Sequence, residues 1–381
     1  MEKYSQFRDK GTAIAPFLPV PTPTSSALWT PVHILLFLVR LPAVTFLSLF
    51  YFTFLEFLPV GSFIKTCVLW LILAIPGVWW VDLQVDGVKR GYVTNIHSSL
   101  YGSTGARALA ANFFAVSQST KAEQRARDNR NLANAKDHLP YAGTVIASSF
   151  TSPLDPLYLA GIFSPVFTRS YPGYKKVEQI SLLGAILLAF APPKLEPNNP
   201  DKLVTLQELK KRNPGSIICV FPESTTTNGR GILPFSPSLL TADEKTKVFP
   251  VNLRYTPGDV TTPVPGNYFS WFWRLLSKPT HVMRVRIAMP HYMVAAPSDK
   301  WVDDVGNDMG YDTNIFDDLK LRNRTVEKDT RNGESEGVGE AERKVLDRVA
   351  EDLARLGRVK RVGLGVVDKI EFVKVWTSRR R

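Results

Sequence analysis

From Leu41 to Val60 the chain is almost wholly apolar and aromatic, with Glu56 the only charge. Leu35 to Val39 extend the stretch upstream past Arg40. About twenty apolar residues suffice to cross the hydrocarbon core of a bilayer. Arg40 and Pro42 mark an interfacial end and a kink. A second run, Cys67 to Val81, has about fifteen residues and contains Pro76-Gly77. It is short for a span and fits a re-entrant leg or a tilted half-helix. Lys3, Arg8 and Lys10 precede the pair, Lys89 and Arg90 follow it, and the connection holds only Lys65. That charge asymmetry favours a membrane hairpin over 31–85 with both ends in the cytosol. The alternative is two buried helices of a soluble domain.

Ahead of the hairpin, residues 1–30 carry Pro16, Pro19, Pro21 and Pro23 and read as an extended, flexible arm. No apolar core followed by a small-residue cleavage site marks a secretory signal there. Behind the hairpin, Ala108–Phe114 suits a short helix, and Lys121–Lys136 is a charge-dense face, solvated or lying on lipid headgroups. From Gly143 a regular rhythm begins. Strands are expected at Gly143–Ser149, Ile162–Arg169, Ser216–Val220, Thr246–Arg254 and Val282–Ala288. Helices are expected at Asp155–Ala160, Val177–Ala191 and Leu203–Arg212. This alternation predicts an α/β fold with a mixed, largely parallel sheet flanked by helices. Tyr268–Leu276, dense in aromatics beside Arg274, is either a core helix or a membrane-interface segment. Residues 297–340 are rich in Asp, Asn, Gly, Lys and Glu and read as a loose segment. Glu340–Leu356 then places Val345, Leu346, Val349, Leu353 and Leu356 on one helix face before Gly357. The expected organisation is an arm (1–30), a hairpin (31–85), an α/β domain (86–296, core 143–291), and a loose segment with a basic helical tail (297–381).

The 381 residues carry a net charge of +12. Such an excess favours an anionic partner, and without a nucleic-acid reader motif the anionic membrane surface is preferred. The two cysteines, Cys67 and Cys219, offer neither a disulfide framework nor zinc spacing. His33, His97, His138, His281 and His291 have no ligand spacing, so no metal is expected.

Two polar segments follow expected strands, where α/β proteins concentrate their chemistry. One is Ser148-Ser149-Phe150-Thr151-Ser152-Pro153-Leu154-Asp155. The other runs from Phe221 to Phe235 and contains Phe221-Pro222-Glu223-Ser224-Thr225-Thr226-Thr227-Asn228-Gly229-Arg230. Alone, the second reads as a polar turn between two sheet elements. Together they resemble the 1-acylglycerol-3-phosphate acyltransferase family. Its first motif is Asn-His-x-x-x-x-Asp, often continuing Thr-Ser-Pro-Leu-Asp, which Thr151–Asp155 match. Val166-Phe167-Thr168-Arg169 fits the second motif. Phe221-Pro222-Glu223 and Thr225–Gly229 match the third, with Ser224 in place of Gly. Val248–Leu253 fits the fourth. The hairpin and basic tail are most similar to fungal members at the endoplasmic reticulum and lipid droplet that use lysophosphatidic acid and oleoyl-CoA.

The resemblance implies acyl transfer from acyl-CoA, a diffusible co-substrate, to a lysophospholipid, with no bound cofactor. It implies Asp155 as the carboxylate orienting a base and Glu223 in the acceptor site. Arg169, Thr225, Asn228, Gly229 and Arg230 would bind substrate; many relatives carry the third-motif arginine at the position of Thr226. One departure stands out. The family's histidine falls at Phe150, and a phenyl ring takes no proton. His138 and His97 are the nearest replacements in sequence. Alternatively Asp155 or the substrate phosphate acts directly, Ser148 or Ser149 is a nucleophile, or the protein is a catalytically silent member binding lipid or a partner in membrane traffic.

Overall fold

The computed structural model of the chain describes residues 2–22, 27–58, 61–87, 138–293 and 339–378. The expected helix at Ala108–Phe114, the charged face Lys121–Lys136, His97, nearly all of 297–340 and Arg379–Arg381 lie outside the described residues.

Helix α1 (Thr30–Phe50) starts on a proline in its first turn, where the missing N–H has no role. It passes into a π-turn at Tyr51–Leu55. Thr30–Leu55 is 26 residues long, largely exposed, and long and apolar enough to cross a membrane by length and composition. Helix α2 (Ser62–Ala74) has only 13 residues. Its Leu69, Ile72 and Leu73 are buried, and Trp70 Nε1 donates to Gly161 O at 3.1 Å. One N-terminal apolar helix of spanning length is thus established, and a membrane hairpin is not.

The strands are β1 (Trp80–Val85), β2 (Val145–Ser148), β3 (Val166–Arg169), β4 (Val177–Ile180), β5 (Leu203–Val204), β6 (Ile218–Val220), β7 (Gly231–Ile232), β8 (Lys247–Thr256), β9 (Val282–Ile287), β10 (His291–Tyr292) and β11 (Lys360–Arg361). The main sheet runs β1-β9-β8-β2-β6-β3-β4-β5, with β10 beside β8. Its four central strands, β8, β2, β6 and β3, are parallel. Antiparallel partners join at β9 and at β4 and β5. Central strands covered on both faces read as unbroken apolar runs, as Val145-Ile146-Ala147 and Ile218-Cys219-Val220 do. On one face, α3 (Leu154–Phe163), α4 (Leu182–Leu188) and α6 (Tyr268–Leu276) share a core with α1 and α2. On the other, α5 (Leu206–Arg212) and α7 (Glu340–Gly357) cover β2, β6 and β8.

Several expectations need correction, among them the helix expected from Leu203, which starts at Leu206 because Leu203–Val204 is β5. Val177–Ala191 is not one helix: its first four residues are β4, paired to β3. Ser181 Oγ then accepts from Gly184 N at 3.1 Å and starts the helix there. The strand expected from Ile162 begins at Val166, because α3 continues to Phe163 and Ser164 turns left-handed at φ 44°. Trp80–Val85, placed in the hairpin, is a strand in register with β9.

Residues 2–22, expected as an extended arm, lie against α8 (Val366–Ser378). Phe7, Phe17 and Phe372 are buried with Leu233, Val362 and Leu364, and the Phe7 and Phe372 rings meet edge-on at 5.2 Å. Tyr4, Phe7 and Phe17, before and among the prolines, give this segment an apolar face to bury.

Candidate active site

Asp155 lies in the first turn of α3 and is fully buried. Its Oδ2 accepts from Thr151 N at 2.6 Å, Ser152 N at 2.9 Å and Thr151 Oγ1 at 3.2 Å. Its Oδ1 accepts from Tyr255 OH. Burial pushes the carboxyl up to about 6 against these donors. Burial, then Asp155, raises the Tyr255 phenol well above its ordinary value, so this group donates and is not a base.

No histidine stands beside Asp155 among the described residues. Phe150 is buried and stacks on Phe221 at 4.4 Å and 25°; Phe221 lies parallel to Phe167 at 6.4 Å. His138 lies over Gly87, beside Met289, away from this group. Ser148 Oγ donates to Ser149 O at 3.0 Å, and Ser149 Oγ accepts from Leu253 N at 3.1 Å. Neither serine contacts a base among the described residues.

The second loop leaves β6 at Val220. Ser224 adopts φ 57°, the left-handed region that favours glycine, which is what the resembling motif carries there. Glu223 is buried; Oε2 accepts from Leu233 N at 3.2 Å, while Oε1 has no hydrogen-bond partner among the described residues. Burial pushes Glu223 up to about 8, with the Leu233 and Phe150 amides opposing, Asp155 adding to the rise and Lys369 opposing it. The Phe150 amide exerts this pull although no Phe150–Oε1 contact meets hydrogen-bond geometry. The two loops are sewn together: Thr227 N donates to Phe150 O at 3.1 Å and Thr262 N to Thr151 O at 2.8 Å. Thr226 Oγ1 donates to Thr262 O at 2.7 Å.

Lys369 on α8 completes the site and was not anticipated. It is fully buried. Its Nζ donates to Thr226 O at 2.6 Å, Thr226 Oγ1 at 2.8 Å and Thr225 Oγ1 at 2.9 Å. Burial lowers it to about 7, with Glu223 opposing. The cation therefore meets the loop at Thr226, where the resembling family often has arginine. The available signal was a lysine in phase with Val366 and Phe372, both buried.

Of the other expected residues, Thr225 holds Lys369. Asn228 clamps the N-terminal segment, its Nδ2 donating to Ala15 O at 2.7 Å and Leu18 O at 2.8 Å. Gly229 has φ 70°, and a Cβ there would lie 3.5 Å from the Thr151 methyl. Arg230 is exposed and lines a recess with Arg8, Ile14 and Leu18. The Arg169 guanidinium lies 4.8 Å over the Tyr171 ring. Neither arginine joins the buried carboxylates. No metal-binding group of His, Cys, Asp and Glu occurs among the described residues. Thr262, which ties both loops, also lines an open cleft walled by Pro19, Pro21, Trp271 and Trp376, with Arg274 as its cation.

The chain is 28% identical over 275 residues to a Schizosaccharomyces pombe protein whose name assigns it, as an inferred activity, lysophosphatidic acid:oleoyl-CoA acyltransferase. The match covers 70% of this chain and 77% of that protein. No family model and no solved structure matches. The likeness supports an acyltransferase family and a role in lipid metabolism.

Proposed function

We propose that this protein is a membrane-anchored acyltransferase that moves a fatty acyl chain from acyl-CoA to the free hydroxyl of a lysophospholipid. The preferred reaction converts lysophosphatidic acid to phosphatidic acid. One observation carries the reading. The loops bearing Asp155 and Glu223 leave adjacent parallel strands and are bonded through Thr227 N and Phe150 O. Two buried carboxylates thus share one site. The S. pombe relative's name supports the choice of acceptor and donor.

Glu223 is best suited to take the acceptor's proton. Its Oε1 is unpartnered among the described residues, and a carboxyl held at about 8 is poised near ambient pH. As the acceptor oxygen attacks the thioester carbonyl, Glu223 takes its proton. The C–S bond then breaks, and Glu223 returns the proton to the departing CoA sulfur. Asp155, satisfied by four donors, holds the first loop in shape. The cleft at Thr262 offers an approach for the lysolipid, with Arg274 for its phosphate. Thr30–Leu55 is the anchor and α2 the second leg of a hairpin. The domain then faces the cytosol at the endoplasmic reticulum, with the lipid droplet as a second location.

Purified full-length protein in detergent, given labelled oleoyl-CoA and a panel of lysolipids, should acylate lysophosphatidic acid, and Glu223→Ala should abolish the product. No product above that variant with any acceptor would overturn the reading. A second reading, a silent lipid-binding relative, is favoured by the Phe150–Phe221 stack and by Tyr255 occupying Asp155. Phe150→His separates the two. A silent relic gains turnover, whereas an enzyme working through Glu223 loses some.

A further inference from the structure

Side chains alternate along a strand. On β8, Leu253 and Tyr255 face the Asp155 side, and Asn252 and Arg254 face the opposite side, under α7. There Arg254 stands directly across from Arg284, and Asn252 across from Arg286. Like charges directly opposite on neighbouring strands repel. A fourth arginine, Arg358, enters from the end of α7, and Asn252, Arg254, Arg284, Arg286, Leu356 and Arg358 line one small, partly open recess. Asp82, in register with Arg284 on β1, is the acidic group beside them. Arg254 Nη1 donates to Gly357 O at 3.0 Å and Arg286 Nη1 to Leu356 O at 2.7 Å. These two guanidiniums are held in place by the helix C-terminus, as suits its dipole. The guanidiniums of Arg284 and Arg358 have no hydrogen-bond or ion-pair partner among the described residues, and both residues are exposed.

The backbone supplies an independent observation. α7 ends on a left-handed residue, the position usually given to glycine or asparagine. Here it is Arg358, at φ 50° and ψ 46°, while the glycine stands one residue earlier. A strained conformation falls at the residue that brings the fourth guanidinium to the recess. Strain of this kind gathers at ligand sites.

We propose that Arg254, Arg284, Arg286 and Arg358 form an anion site, on the opposite face of the sheet from the buried carboxylates, for a phosphoryl group of a nucleotide or of a lipid headgroup. Guanidiniums grip phosphate oxygens in pairs, and two anchored arginines with two unengaged ones provide such a grip. The site stands independently of acyl transfer, because binding is read without turnover.

Full-length protein in detergent is titrated with adenosine 3′,5′-bisphosphate by calorimetry, and separately floated with phosphatidylcholine vesicles with and without phosphatidate. Arg284→Gln and Arg358→Gly should each weaken phosphate binding about tenfold or more. Arg358→Gly should meanwhile hold or raise the melting temperature, because glycine accepts the left-handed backbone. Loss confined to the bisphosphate assigns a nucleotide, and loss confined to phosphatidate vesicles assigns a lipid headgroup. The proposal is overturned if neither phosphate probe binds the wild type, or if binding survives both substitutions. A fall in melting temperature with Arg358→Gly also overturns it, since the arginine would then be structural.

Discussion

Replacing Lys369 by methionine separates two opposed effects of one buried side chain. Methionine fills similar space without charge. It removes three donations, to Thr226 O, Thr226 Oγ1 and Thr225 Oγ1, each worth about 1 kcal/mol net. It also removes a buried ammonium whose pKa falls from 10.5 to about 7. The folded value lies below the unfolded one. Between about pH 7 and 10.5 the unfolded chain holds a proton that the folded chain has lost. Unfolding then takes up a proton, and stability rises with pH across that window. From pH 7 to pH 9 the rise is roughly 2–3 kcal/mol. The Lys369 contribution to wild type gains this increment and Lys369→Met lacks it, while the Glu223 contribution falls over the same window in both proteins and cancels in the comparison. The variant is therefore less stable than wild type by about 2–3 kcal/mol more at pH 9 than at pH 7. Thermal melts of both proteins in the same detergent at several pH values read the difference. A stability gap independent of pH, or one widening toward acid, would refute the reasoning.

Glu223 shifts the other way. Its carboxyl rises from 4.5 to about 8, so its stabilisation is full below about pH 4.5 and is lost as pH climbs through 8. Glu223→Gln should flatten the fall in melting temperature between those limits, and a slope as steep as in wild type would contradict the assignment. Ser224→Gly should raise stability by about 1 kcal/mol, because φ 57° suits glycine; a lowered melting temperature would show that the Ser170–Ser224 hydroxyl contact, at 3.0 Å, outweighs the strain. In the native background, Asp155→Asn puts an amide N–H₂ against donors from Thr151, Ser152 or Tyr255 and should cost about 2–4 kcal/mol. Melting with a parallel turnover assay checks it, and turnover lost in a still-folded variant counts against silence.

The parts of the fold that were legible are those whose pattern is local. Ile218–Val220 is a short apolar run after Pro214-Gly215, and Glu340–Gly357 repeats its apolar residues at helical spacing. β4 was hidden because Val177–Ile180 runs into Leu182–Leu188, and only pairing with β3 separates strand from helix. β1 was hidden for the same reason. Its partner β9 lies some two hundred residues on, and its tryptophan and valine continue the apolar run before it. At the site, the order of residues in each loop was visible, and so was the absent histidine. Tyr255 and Lys369 were not, since each meets its partner only through the tertiary fold, 100 and 143 residues away. A lysine in a helix ordinarily reads as a solvated charge.

That reach of 143 residues also sets a sequence in time. At ordinary synthesis rates the stretch from Thr226 to Lys369 takes roughly ten to thirty seconds to emerge. Strands β1 to β10 can be joined within that interval, while Glu223 has no neighbouring ammonium and Thr225 and Thr226 have no donor. Phe17, already waiting near Asn228, has no Phe372 to pack on. A chain interrupted between residues 293 and 369 would therefore show a formed sheet by circular dichroism and an uncovered carboxylate loop by limited proteolysis. Maturation of the site would be a late event, separable from folding of the sheet that carries it.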